Sequence, residues 1–306
     1  MRKSICLAIF IIAISGTLTG CRTMALGAIV CGNLSKLPNP RIFAKNDDLA
    51  NGRANPVPTC AKPRPADLRA CQEIEQQILA STVRLEWQRW TLSEKNRDYT
   101  LLDGTIGYAT VKEGRYLVTH NHTGMSLSNP NNGTFVTVSV STADGDPIWQ
   151  YARLNSITIT ELNRETLLLD FGNYGGRGLF AAKGLPSAKF KSWESLPLQP
   201  GLEVAQIGWD EATASVDWVT IDKVIRQGGT PRVELTNFVR PGASGGGVFW
   251  KGYHIANTWS QVTVCDSSSG AVLRQHSVAA LNSPQVTAPT DRNGPDRRRI
   301  IWSGSN

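Results

Sequence analysis

Arg240-Pro-Gly-Ala-Ser-Gly-Gly-Gly-Val-Phe-Trp-Lys-Gly-Tyr-His-Ile-Ala-Asn-Thr258 reads as a glycine-rich turn, an apolar strand, a tight turn at Lys251-Gly252 and a second strand. Ser244 stands in the first turn, with Gly242 on one side and Gly245-Gly246-Gly247 on the other. A backbone bare of side chains can bring its amides close to a reacting carbonyl. The N–H groups of Gly242 and Ser244 are then the natural pair to bind a developing oxyanion. The plain alternative is a glycine hairpin turn with no chemistry. Serine alone is a poor nucleophile and needs a positioned base. Leu117-Val-Thr-His-Asn-His122 supplies two histidines about 120 residues upstream. Taken together, the two stretches point to acyl transfer.

Outward from this hairpin, short apolar or alternating runs recur between Gly, Asn and Asp turn signals. They are 82–90, 105–111, 115–119, 134–141 and 166–171 in one half, then 203–207, 214–221, 232–238, 248–250, 253–256 and 262–265 in the other. Each is strand-length, the turn signals recur at roughly ten-residue intervals, and no long helical pattern interrupts them. The pattern predicts an all-β chain with antiparallel barrels or sandwiches and excludes a βαβ architecture. It also decides against the nucleophile elbow of α/β-hydrolases, although Gly242-x-Ser-x-Gly246 matches its spelling. That elbow needs a helix after the serine and an acid and histidine downstream; here a strand follows, and only His254 and His276 remain.

The ends of the chain read differently. Arg2-Lys3 followed by the apolar 6–17 stretch is a targeting signal too short to span a bilayer, and Leu18-Thr19-Gly20-Cys21 resembles the bacterial lipobox. The expectation is a signal peptide over 1–20, lipidation of Cys21 and attachment to a membrane surface; the bland reading is an ordinary secretory signal cut nearby. Residues 21–75, with Pro38, Pro40, Pro56, Pro58, Pro63 and Pro65, read as an extended tether, with a turn or two of helix within 71–80. Residues 285–306, with Asp296-Arg-Arg-Arg299, read as a flexible basic tail. The net charge of +7 sits in these flanks. Residues 1–20 carry +2, 21–70 carry +5 and 285–306 carry +2, which leaves −2 on 71–284. A nucleic-acid partner, which would want a basic face on the folded domain, is set aside.

Export gives the cysteines meaning. With Cys6 removed and Cys21 lipidated, Cys31, Cys60, Cys71 and Cys265 allow three pairings. A Cys60–Cys71 loop is one bridge that fits, and Cys265 joined to an N-terminal cysteine would clip the leader to the domain. The spacings do not form a zinc site, and the chemistry inferred above calls for no metal or cofactor.

Gly242-Ala-Ser-Gly-Gly246 resembles the nucleophile motif of trypsin-like (chymotrypsin-fold) serine proteases. Tyr253-His-Ile-Ala-Asn-Thr258 is similar to the strand that follows it in bacterial members. Val118-Thr-His-Asn-His122 resembles their Leu-Thr-Ala-Ala-His motif, with His122 in the register of the catalytic base and His120 as the alternative. The likeness spans about 81–284. It implies two six-stranded antiparallel β-barrels, at 76–185 and 186–284, behind an extended N-terminal arm. The implied activity is that of an exported serine endopeptidase using a Ser-His-Asp triad and an acyl-enzyme, with a protein or peptide as substrate. The competing class is a catalytically inactive barrel that serves as a cell-surface binding module.

The same resemblance assigns further roles. The triad acid lies between His122 and Ser244. Asp170 is preferred as the shorter and usual acid, although the family sets its aspartate before the apolar run, where this chain has Glu165. Phe238 falls at the base of the specificity pocket and Asn257 and Thr258 near its wall. With no acid there, a medium apolar or uncharged side chain is the expected preference; His254 would suit a glutamate pocket but, as a lone strand histidine, reads as structural. Ala243 replaces the aspartate that pairs with a liberated N-terminus, so activity is expected not to depend on such a cleavage.

Overall fold

The computed structural model describes residues 28–31, 60–92, 98–121, 134–210, 213–226, 229–239, 242–265 and 271–290. Alternation builds the first sheet. In Thr82-Val-Arg-Leu-Glu-Trp87 the residues Val83, Leu85 and Trp87 are fully buried while Arg84 and Glu86 are not, which is the period-two pattern of a strand with one face in a core. A short β1 (Ala28–Cys31) precedes it in the chain. The sheet itself consists of β2 (Thr82–Leu92), β3 (Tyr99–Lys112), β4 (Tyr116–His120), β5 (Thr134–Thr142), β6 (Pro147–Arg153), β7 (Thr158–Asn163) and β8 (Thr166–Asp170). All pairings in it are antiparallel, in the order β6-β5-β2-β3-β4-β8-β7. Among the described residues the sheet has seven strands where six were expected. The 147–163 stretch has no clean alternation, yet it forms β6 and β7.

Three two-residue strands cross the linker: β9 (Asn173–Tyr174), β10 (Arg177–Gly178) and β11 (Lys189–Phe190). The second sheet contains β12 (Glu203–Asp210), β13 (Thr213–Ile225), β14 (Arg232–Leu235), β15 (Gly247–Trp250), β16 (Tyr253–Cys265) and β17 (Val272–Leu281). β16 pairs with both β15 and β17, so these six strands close into a barrel around Val204, Ile221, Val233, Leu235, Val248 and Ile255. The chain is thus all-β with a double-barrel layout. β1 lies parallel to β16 with Cys31 at the register position of Cys265.

Each terminal segment docks on the barrel more distant in sequence. Helix α1 (Leu68–Ala80) precedes the first barrel but packs on the second. Its Ile78 is buried with Ala205, Ile207 and Phe249 of that barrel and also with Tyr108 of the first, and Trp218 Nε1 donates to Glu75 at 2.5 Å. Upstream, Cys60 is bridged to Cys71, and the carboxylate of Glu203 accepts from the Cys60 amide at 2.6 Å. At the other end, Val286 follows the second barrel and is buried beside Tyr116, Val118 and Leu168 of the first. The Thr290 amide donates to Glu113 at 3.0 Å. This explains the unbroken apolar run of β8. Leu167 and Leu169 face the barrel interior, and Leu168 faces the returning chain. Among the described residues, contacts outside the barrel limits expected from sequence include those of Cys60 upstream and Thr290 downstream.

Candidate active site

Ser244 sits in a turn closed by the Gly246 amide donating to the Ala243 carbonyl at 2.9 Å. Gly242 (φ 103°) and Gly245 (φ 79°) take backbone conformations that side chains oppose. Three further bonds hold the turn. The Gly245 amide donates to Thr258 O at 2.9 Å, the Thr258 amide to Gly246 O at 2.8 Å, and the Tyr108 amide of β3 to Ser244 O at 2.8 Å. The last crosses from one barrel to the other. Close approach there needs glycine on both sides. A Cβ at Gly107 would come 2.8 Å from Ser244 O, and one at Gly245 would come 2.2 Å from Thr119 Oγ1 and 3.3 Å from His120 N. The serine turn is thus seated on the end of β4, two residues before His122. Among the described residues the amides of Gly242 and Ser244 donate to no backbone carbonyl. Gly107 is a site-shaping residue without any motif to announce it.

His122 and Cys21 lie outside the described residues. His120, the alternative base, is 2% exposed, and its ring centroid is 6.0 Å from that of Trp259 on β16.

Strand register sets the two candidate acids at opposite ends of one strand pair. β4 and β8 run antiparallel with Tyr116 opposite Asp170 and His120 opposite Thr166. Asp170 therefore lies at the far end from His120, roughly 13 Å along the strand at about 3.3 Å per residue. Its carboxylate accepts from Arg115 Nε at 2.7 Å and from Arg115 Nη2 at 2.6 Å, and it takes the Gly172 amide at 2.8 Å. This pairing holds the Arg115 guanidinium above its ordinary range. Asp170 caps the opposite edge of the barrel and does not meet the serine turn. Glu165 is the carboxylate at the His120 end. It precedes Thr166, and the Asn121 amide donates to its carbonyl at 3.2 Å, which extends the ladder to the residue before His122.

The Glu165 carboxylate is 5% exposed and is met by Arg232 from β14 of the other barrel. Arg232 Nε donates to Oε2 at 3.2 Å and Nη2 donates to Oε1. The same guanidinium lies over the Trp259 ring, 3.9 Å from its centroid. Nothing in the local sequence marks this ion pair, which joins positions 67 residues apart.

Of the expected pocket residues, Phe238 is exposed, while Asn257 and Thr258 are buried at 0% and 2%. Thr258 Oγ1 accepts from Gln206 Nε2 at 2.9 Å, and Ser277 Oγ lies 3.2 Å from Gln206 Oε1. Thr258 therefore underlies the serine turn, with Asn257 buried beside it opposite Gly247; Phe238 alone of the three meets solvent. His254 is fully buried, with Phe190 and Phe249 at ring separations of 4.5 and 5.2 Å and Asn282 Nδ2 3.1 Å from its Nδ1. Burial pushes its imidazole down to about 3, against a smaller opposing pull from the Asn257 amide. It stays neutral in the core, in accord with a structural role. Among the described residues no three His, Cys, Asp or Glu side chains cluster as a metal site would require.

No protein-family model matches this sequence, and no curated protein matches it. Solved structures similar to it include the Rv3671c protease of M. tuberculosis in its active form, at 14% identity, covering 76% of this chain and 88% of that one, with a TM-score of 0.43. The tobacco vein mottling virus protease is similar at 13% identity, over 72% of this chain and 85% of that one, with a TM-score of 0.43. At that level of likeness neither structure supplies the role of any residue here.

Proposed function

We propose that this chain is an exported serine endopeptidase. Ser244 attacks the carbonyl of a bound peptide, His122 takes the hydroxyl proton, and Glu165 orients the imidazole and stabilises its protonated form. The amides of Gly242 and Ser244 bind the oxyanion. The protonated histidine then protonates the leaving amine, and water hydrolyses the acyl-enzyme by the same route in reverse. One observation carries this reading: the serine turn is bonded to β3 and seated against Thr119 and His120, in the segment that leads to His122.

Labelling of the full chain with a fluorophosphonate tests it. Modification at Ser244 that is lost in Ser244→Ala and in His122→Ala supports the enzyme. A folded, processed chain that takes no label is instead a binding module built on an inactive barrel. Export with a lipid at Cys21 is part of the proposal, and the Cys60–Cys71 bridge suits an oxidising compartment. Metabolic labelling with an alkyne fatty acid, compared with Cys21→Ser, tests the anchor.

A further inference from the structure

We propose that Arg232 is a positioning residue of the active site, a clamp that fixes the Glu165 carboxylate relative to the Ser244 turn from the opposite barrel. The inference rests on the protease reading above and adds a component that reading does not need.

Glutamate carries one more rotatable bond than aspartate, so a carboxylate at position 165 needs an external partner to hold one orientation. Among the described residues that partner is Arg232, whose fork engages both carboxylate oxygens. The guanidinium is itself fixed, stacked on Trp259 at 3.9 Å. Trp259 follows Thr258, whose carbonyl and amide strap Gly245 and Gly246. A continuous path thus runs from the acid through Arg232, Trp259 and Thr258 to the nucleophile turn, although acid and nucleophile belong to different barrels.

Other ionisable groups near the pair leave Arg232 as its main charge. His120 of β4 lies beside Trp259, and Glu234, two residues along β14, faces His276 of β17 at 3.6 Å. A carboxylate has about four lone-pair sites, so the clamp leaves room for an imidazole N–H. It also offsets part of the charge that would otherwise favour imidazolium.

The test compares kcat/KM against pH for the full chain and for Arg232→Gln and Arg232→Lys, normalised to the fraction of Ser244 that takes fluorophosphonate. Arg232→Gln leaves the carboxylate unopposed, so the acidic limb moves to higher pH by about 0.5 to 1 unit, and kcat falls about 10- to 100-fold with little change in KM. Arg232→Lys keeps the charge and loses the fork; its limb stays in place while kcat falls less. If Arg232→Gln does not fold, Arg232→Lys decides alone, and an unchanged kcat overturns the clamp. A limb that does not move in folded Arg232→Gln shows Arg232 to be structural only. Absence of label in the wild-type chain overturns the protease reading and the clamp with it, whereas labelling with an unmoved limb overturns the clamp alone.

Discussion

Gly107 and Ser244 meet backbone to backbone across the two barrels: the position of a Cβ on Gly107 lies 2.8 Å from the Ser244 carbonyl oxygen, which also accepts the Tyr108 amide at 2.8 Å. A methyl group there must push the serine turn away from β3, because the obstacle is backbone. Gly107→Ala is expected to lower kcat/KM about 10- to 100-fold through misplacement of the nucleophile. The stability cost is about 1–3 kcal/mol of overpacking. Denaturant melts alongside active-site titration separate the two effects.

The register of β4 against β8 makes a direct prediction about the acid. Glu165→Gln is expected to lower kcat by about 10³- to 10⁴-fold, as loss of the orienting carboxylate does in a triad. Asp170→Asn removes a partly exposed pair with Arg115 at the other end of the strand. It should leave kcat within a few fold and cost about 1 kcal/mol or less. The reverse ranking, measured by burst titration and steady-state rates, would return the acid to Asp170.

His254 is neutral when folded and binds a proton readily when unfolded. Its folded value of about 3 lies below the ordinary 6.5, so the unfolded state takes up the extra proton as pH falls. Stability is therefore intact above about pH 6.5 and declines by up to about 1.4 kcal/mol per unit between there and about pH 3. In His254→Phe this contribution disappears. The drop in unfolding free energy from pH 7 to pH 5 should then be smaller than in the wild-type chain by about 2 kcal/mol, read from urea melts at the two values.

The Cys60–Cys71 bridge closes a loop at the start of α1. Reduction, or Cys71→Ser, should cost about 3 kcal/mol by loop entropy. The loss should appear first at α1, as faster amide exchange around Ile78, while the barrel strands stay protected.

Much of the fold was legible because most strands carry their own pattern. The runs at 82–90, 134–141 and 166–171 became β2, β5 and β8 with shifts of one or two residues. β17 was not legible: Val272-Leu-Arg-Gln-His-Ser has an exposed first half and no alternation, and it forms because β14 and β16 offer it edges. The serine turn was legible from its glycines. The placement of the two candidate acids was not, because register decides it: aspartate over glutamate is a sound choice of chemical type, but only the pairing of His120 with Thr166 sets Glu165 rather than Asp170 at that end of β4. Arg232 meets Glu165 and Gly107 meets Ser244 through contacts between distant strands, and local sequence does not carry that information.

The exchange of terminal segments straps each barrel to the other. α1 hangs from the second barrel and continues into the first, and the 284–290 stretch leaves the second and grips the first. A hinge motion that parted the barrels, and with them Ser244 from β4, would have to peel off both straps at once. The molecule should therefore unfold in a single transition. Truncation after Leu281, which removes Val286 and its burial beside Tyr116 and Val118, should split that transition in two and silence Ser244 long before either barrel melts.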